Sequence, residues 1–246
     1  MRHKSKQLKQ WIKESTPFVV VVFLVFVFRS SFYEPFRIPS GSMIPTLMIG
    51  DFILVDKLSY GLKLPFSDLS LGAINLTPIY LTGPRFPMRG DVVVFKFPND
   101  PSVDYIKRVI GIPGDEIEVK NKMVFINGKP LEGIEKDHPE ILLDMDDAFK
   151  GYNFKFYEYT KTGAKYIVQI DKDNYYKLNS PKVKVPPDHF FMMGDNRDYS
   201  YDSRGWGFVP FKNIKGKAVG VWMSMKFPFG KESGKLRFHR IGLSIN

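Results

Sequence analysis

The chain reads as an all-β protein, a β-rich core with a small inserted β subdomain, carried behind one N-terminal transmembrane helix. Three observations predict this. Short β-branched and aromatic runs bounded by Gly, Pro, Asn or Asp fill the middle and end of the chain. An unbroken apolar run, Pro17–Phe28, follows a basic leader. The composition, 43% hydrophobic and 15% aromatic over 246 residues, suffices for a sizeable core, and about 200 residues of β structure need not divide further.

The leader, residues 1–15, contains Arg2, Lys4, Lys6, Lys9 and Lys13. The apolar run alone is shorter than the roughly 20 residues that cross a bilayer. Continuing through Arg29, whose charge can snorkel, to Phe32 and Tyr33 gives an anchor over residues 16–33. A cleaved export signal is disfavoured, because Arg29 stands where a small-x-small site would be. Positive charge ahead of the run keeps the N-terminus cytoplasmic and sends the remainder across. The short chain from Phe28 to Ser42 reaches about 50 Å at most, so Ser42 works near the membrane surface.

Beyond the anchor, strands are expected at Asp51–Leu58, Asp91–Phe97, Val103–Ile110, Asp115–Lys120, Lys122–Ile126, His189–Met193 and Lys217–Met225. Asn127-Gly128 marks a type I′ hairpin turn. Residues 59–88, with four prolines, read as a long loop offering apolar surface. Between Lys129 and Pro187 an acidic stretch precedes an aromatic alternating one, which reads as the inserted subdomain (129–187) between the two parts of the core (34–128 and 188–246).

The formal charge of +10 raises the question of a nucleic-acid partner. Residues 1–13 hold +5 and residues 211–246 hold +7, leaving −2 for everything between. Basic ends fit an anionic bilayer, with the exposed apolar groups of Trp222–Gly230 beside it, and not a duplex-binding face. The chain has no cysteine, so thiol nucleophiles, disulfides and thiolate metal sites are excluded. His3, His138, His189 and His239 form no zinc-hydrolase spacing, and neither a metal nor a cofactor is expected.

Three stretches carry candidate chemistry. In FRIPSGSMIPTL, Gly41 permits close backbone approach, Pro39 and Pro45 stiffen the turn, and the Ser42 amide can face a substrate oxygen, with Ser40 a possible second donor. A serine needs a base to become a nucleophile. In DYIKRVIG, strand alternation sets Tyr105, Lys107 and Val109 on one face, where desolvation lowers a lysine pKa. In MGDNRDYSYDSRGWGFVP, Asp202 and Arg204 carry opposite charges and Ser200 can hold an amine in place. A calcium loop starting at Asp195 would need Glu where Trp206 stands. A Ser-His hydrolase using His189 or His239, and an anchored adhesion or folding factor without catalysis, are the rival readings.

Together PSGSMIPTL, GDFILVDKLSYG, RGDVVVFKFP, DYIKRVIGIPGD and FMMGDNRDYSYDSRGWGFVP, in this order behind an anchor, resemble bacterial type I signal peptidase. The resemblance implies a serine-lysine dyad endopeptidase of the bacterial inner membrane, with its catalytic part on the outer side, cleaving signal peptides from exported preproteins after a small-x-small motif. It implies Ser42 as nucleophile, Lys107 as general base, Ser40 with the Ser42 amide as oxyanion hole, and Ser200, Asp202 and Arg204 as supporting residues. Ile38, Tyr105 and Ile106 are the implied pocket walls, beside which Tyr201 is bulky.

Overall fold

The computed structural model describes residues 2–71, 74–145, 149, 151–161, 164–176, 179–225 and 234–246. Helix α1 (Arg2–Ser31) contains the apolar run, and its stretch Lys13–Ser31 is long and apolar enough to cross a membrane. The basic leader is therefore helical from Arg2 onward. The helix stops before Phe32, and Tyr33, expected inside the anchor, opens a strand instead.

That strand is β1 (Tyr33–Arg37), followed by β2 (Asp51–Asp56), the short hairpin β3 (Ser70–Leu71) and β4 (Ile74–Asn75), then β5 (Val92–Phe97) and β6 (Asp100–Gly111). Next come β7 (Glu116–Lys120), β8 (Met123–Ile126), β9 (Lys129–Pro130), β10 (Ile134–Lys136), helix α2 (Pro139–Asp144), β11 (Phe154–Lys161) and β12 (Ala164–Asp171). The chain closes through β13 (Ser180–Lys184), β14 (His189–Met193), helix α3 (Ser203–Trp206), β15 (Val209–Pro210) and β16 (Ile214–Ser224).

Seven strands form the main sheet in the order β1-β2-β16-β5-β6-β14-β15. Its centre is buried on both faces, which is why VVVF in β5 is continuously apolar instead of alternating. Val92 and Val94 join Ile53, Val55, Ala218 and Val221 in one cluster, whereas Val93 and Phe95 join Val109, Phe190 and Met192 in another. Period-2 geometry thus splits one run between two cores. Each buried large side chain contributes about 2 kcal/mol.

A four-stranded sheet, β13-β7-β8-β9, continues from β6, and a three-stranded sheet, β10-β11-β12, lies within residues 129–187. Asn127 and Gly128 both have positive φ (52° and 78°) between paired Ile126 and Lys129, so the expected two-residue turn is present. Ile141, Met145 and Phe156 of that region pack on Ile44 and Met48, just past the Ser42 turn. Residues 59–88, expected as a loop throughout, contain the paired strands β3 and β4, and their Tyr60 and Tyr80 supply the expected apolar surface, packing on the second core cluster.

The C-terminal charge is less free than its sequence suggests. Arg237 and Arg240 are buried on Asp51, at 3.3 and 2.7 Å, Lys217 meets Asp91 at 2.9 Å, and Lys215 meets Asp104 at 2.8 Å. Trp222 is half exposed beside Phe52, and residues 226–230 of the expected lipid-facing stretch lie outside the described residues.

Candidate active site

Between β1 and β2 the chain makes a single 3-10 turn, Gly41–Met43, entered from extended Ser40 (φ −131°, ψ 155°). Backbone bonds from Ile38 to Asp51 and from Gly50 to Ile38 (2.8 and 2.9 Å) close the loop's base. Its tip is held from the 194–204 loop: the Asn196 amide donates to the Ser42 carbonyl at 3.1 Å, and Asn196 Nδ2 donates to the Gly41 carbonyl at 3.0 Å. Two glycines permit this approach. A Cβ on Gly194 would stand 2.3 Å from Ser200 Oγ and 2.4 Å from the Ser42 carbonyl. One on Gly41 would strike the Phe149 ring at 2.6 Å. Ser42 is buried and Ser40 is exposed.

Lys107 rises from β6 opposite Val93 of β5 and is only 4% exposed. Its Nζ donates to Ser42 Oγ at 2.6 Å and to the Ile106 carbonyl at 2.9 Å, and lies 5.4 Å from the Tyr105 ring centroid. The two residues stand 65 positions apart in the chain. Strand alternation explains the shared face of Tyr105 and Lys107.

Asp202 caps α3 and is buried; its carboxylate accepts from Arg204 Nε and Nη2 (2.8 and 2.7 Å) and from the Gly194 amide (3.1 Å). Burial pushes this carboxyl up, but Arg204 and the bonds from Gly194 and Ser200 outweigh it and hold it below the usual range. The Ser200 hydroxyl neighbours this carboxylate and stands beside the Ser42 carbonyl, against the same face of Gly194.

The expected residues divide as follows. Ser42 and Lys107 meet directly, and Ser200, Asp202 and Arg204 form the loop behind them. Ile38 and Ile106 share one apolar cluster with Met43 and Leu47. Tyr105 belongs to the other cluster and stacks on Phe97, with ring centroids 4.5 Å apart. Tyr201 is mostly exposed, turned toward Phe97 at 6.2 Å. The histidines are engaged elsewhere: His189 Nδ1 with the Pro187 carbonyl (2.7 Å) and His239 Nε2 with Asp144 (2.5 Å).

Sequence reasoning missed two supports. Asn196 carries both bonds to the serine turn. Arg108 is fully buried in a bidentate pair with Asp195 (2.8 and 2.7 Å), and Thr46 Oγ1 donates to the same carboxylate at 2.6 Å. The guanidinium also lies 3.9 Å from the Tyr166 ring centroid. The adjacency of Arg108 to Lys107 and the Asp195-Asn196 pair were the available signals.

A hydroxyl bonded to a buried lysine amine, on a β scaffold behind an apolar helix, is an arrangement suited to acyl transfer. The family model for signal peptidase, peptidase S26, matches residues 8–223. Signal peptidase I of Pseudomonas fluorescens is 42% identical over 92% of this chain and 76% of its own length. That of Buchnera aphidicola is 36% identical over 97% and 83%, and that of Rickettsia typhi 38% identical over 92% and 85%. The chain belongs to the signal peptidase family, peptidase S26.

Proposed function

We propose that the protein is a membrane-anchored serine endopeptidase that removes signal peptides from exported preproteins with Ser42 as nucleophile and neutral Lys107 as general base. The observation that carries this reading is the 2.6 Å bond between Lys107 Nζ and Ser42 Oγ in a family of peptidases. Burial of the lysine favours the uncharged amine, because little water remains to solvate an ammonium. The two atoms already lie at bonding distance, so proton transfer requires only that the amine present its lone pair.

Lys107 takes the Ser42 proton as Oγ attacks the scissile carbonyl. The oxyanion that forms is held by the Ser42 amide and the Ser40 hydroxyl, each donor being worth about 3 kcal/mol in the transition state. On collapse, the lysine passes its proton to the leaving amine, and the preprotein's signal segment remains as an ester on Ser42. Lys107 then deprotonates a water that attacks this ester, releasing a carboxylate and returning the proton to Oγ. Ser200, Asp202 and Arg204 fix the loop that, through Gly194 and Asn196, sets the serine turn. Ile38 and Ile106 line the recess for small side chains, and Tyr105 packs beside the amine.

In this reading α1 crosses the bacterial inner membrane once, its N-terminus cytoplasmic, and the catalytic part rests on the outer face. The short link from Ser31 to Ser42 holds the nucleophile at the height where a signal helix leaves the bilayer. Incubating a labelled preprotein carrying Ala-x-Ala with the full chain, Ser42→Ala and Lys107→Met tests it. Cleavage by the parent alone is expected; activity surviving in Lys107→Met, or lost only on replacing His189 or His239, overturns the dyad.

A further inference from the structure

Where α1 meets the sheet, a cavity of about 360 Å³ opens beside Phe26 and Arg29 of the helix. Phe66 adds apolar wall, and Lys57, Lys96 and Lys215 bring further positive charge. The junction is fixed: Lys57 Nζ donates to the Ser30 carbonyl at 3.0 Å, Ser30 Oγ accepts from the Phe66 amide at 2.7 Å, and the Lys57 amide donates to the Phe32 carbonyl at 2.8 Å.

Three of the four cations have carboxylate partners. Glu34 lies 3.6 Å from Arg29 and 3.2 Å from Lys57, Asp68 lies 3.3 Å from Lys57, and Asp104 lies 2.8 Å from Lys215. Lys96, in β5, differs. It is only 6% exposed, lines this cavity, and its ammonium makes no hydrogen bond or ion pair among the described residues. Burial pushes its pKa down; Asp68 and Asp104 oppose that, and Lys215 and Lys57 add to it. A buried cation facing a cavity is costly unless an anion completes it. The aromatic rings at the cavity's edge belong to, or touch, the helix: Phe23 and Phe66 have centroids 6.3 Å apart.

We propose that this cavity binds the phosphate of an anionic phospholipid headgroup, with Lys96 as its principal ligand and Phe26 and Phe66 flanking the acyl chains. The ligand chemistry is a phosphate ester. The lipid is favoured as its source because the cavity opens against the membrane-crossing stretch of α1, on the reading of α1 given above. An occupied site would lock the helix's exit angle, and with it the height of Ser42.

The test uses the full chain in neutral detergent, titrated with phosphatidylglycerol, with phosphatidylcholine of the same chains, or with inorganic phosphate, and bound lipid is counted by native mass spectrometry. Retention of phosphatidylglycerol over phosphatidylcholine is expected, falling at least about tenfold in Lys96→Gln and recovering in Lys96→Arg, with preprotein cleavage in detergent unchanged. Ser102→Trp, which fills the cavity from an exposed lining position, should reproduce the loss if Lys96→Gln does not fold. Equal retention of both lipids, or equal retention by parent and both variants, overturns the site. Displacement of phosphatidylglycerol by equimolar inorganic phosphate overturns the lipid as occupant. Alkaline extraction of the parent from membranes is scored separately: release there sinks the anchoring, whereas lost lipid selectivity alone sinks only this site.

Discussion

Lys107 and Lys63 are both buried lysines, at 4% and 1% exposure, and they sit in different company. Lys107 gives its bonds to a serine hydroxyl and a carbonyl. Lys63 gives two to the Ile214 and Lys215 carbonyls and lies 3.7 Å from Asp68, which also meets Lys57. Burial pushes the Lys63 amine down to about 8, with Asp68 opposing that and Lys57, Lys215 and Lys96 adding to it. One position ties loop to sheet by bonds a neutral amine can also make. The other places an amine beside a hydroxyl that can be deprotonated. Burial alone therefore does not distinguish the two lysines; the atom at the end of the bond does.

The largest expected effect tests that contrast directly. Lys107→Met should reduce peptidase turnover by about 10³-fold or more, whereas Lys63→Met should leave turnover within a few-fold of the parent. Lys107→Arg should not rescue, because a guanidinium stays protonated. Single-turnover assays on one preprotein decide it; comparable losses in both variants would erase the distinction.

Asp68→Asn should come next, acting on stability. Burial pushes the Asp68 carboxyl up, but Lys57 and Lys63 outweigh this and hold it below the usual range. Its contribution is therefore present above the unfolded carboxylate pKa and lost as pH falls through the depressed folded value. Breaking the partly screened cluster should cost about 3 kcal/mol at neutral pH, read by denaturant unfolding. The same variant should leave the Ser42–Lys107 pair active.

How much of this was legible in the sequence depends on how local the signal was. β5, β7, β8, β14 and the Asn127-Gly128 turn were readable because pleat alternation and turn chemistry act over a few residues. The Ser42 turn and the face of β6 bearing Lys107 were readable for the same reason, and the serine–lysine pairing came through the resemblance. The Arg108–Asp195 pair joins residues 87 positions apart, and Asn196 holds a carbonyl 155 positions upstream, so no local pattern announces them. The C-terminal charge misled because a count of Lys and Arg cannot tell a surface cation from Arg240 buried on Asp51. Tyr33 left the expected anchor because pairing with Asp56 across β1 and β2 outcompetes another helical turn.

A smaller effect separates the lysines by titration. With the Lys63 amine at about 8 in the folded protein and near 10.5 when unfolded, the unfolded chain binds more protons between those values. The parent should gain stability as pH rises through that window, by roughly 2 kcal/mol over the accessible part. Lys63→Met should flatten this slope. A slope unchanged in the variant would assign it to another group.

The smallest effect probes the neighbour that shapes that titration. Burial pushes Lys215 down, but Glu34 and Asp104 outweigh it and hold its pKa above the ordinary value, so its stabilisation is present below 10.5 and lost only above that. Lys215 also repels the Lys63 ammonium. Lys215→Met should therefore cost about 1 kcal/mol at neutral pH, as for a partly exposed ion pair. It should also raise the Lys63 midpoint by a few tenths of a unit, because one repelling charge is gone while Asp68 remains. Nitrogen-detected NMR of the lysine amines, with Lys63→Met for assignment, reads the shift. A midpoint that stays fixed would remove Lys215 from the charges acting on the Lys63 amine and leave burial, Asp68, Lys57 and Lys96 to set it, so that the contrast with Lys107 would rest on those groups and on the hydroxyl at the Lys107 tip.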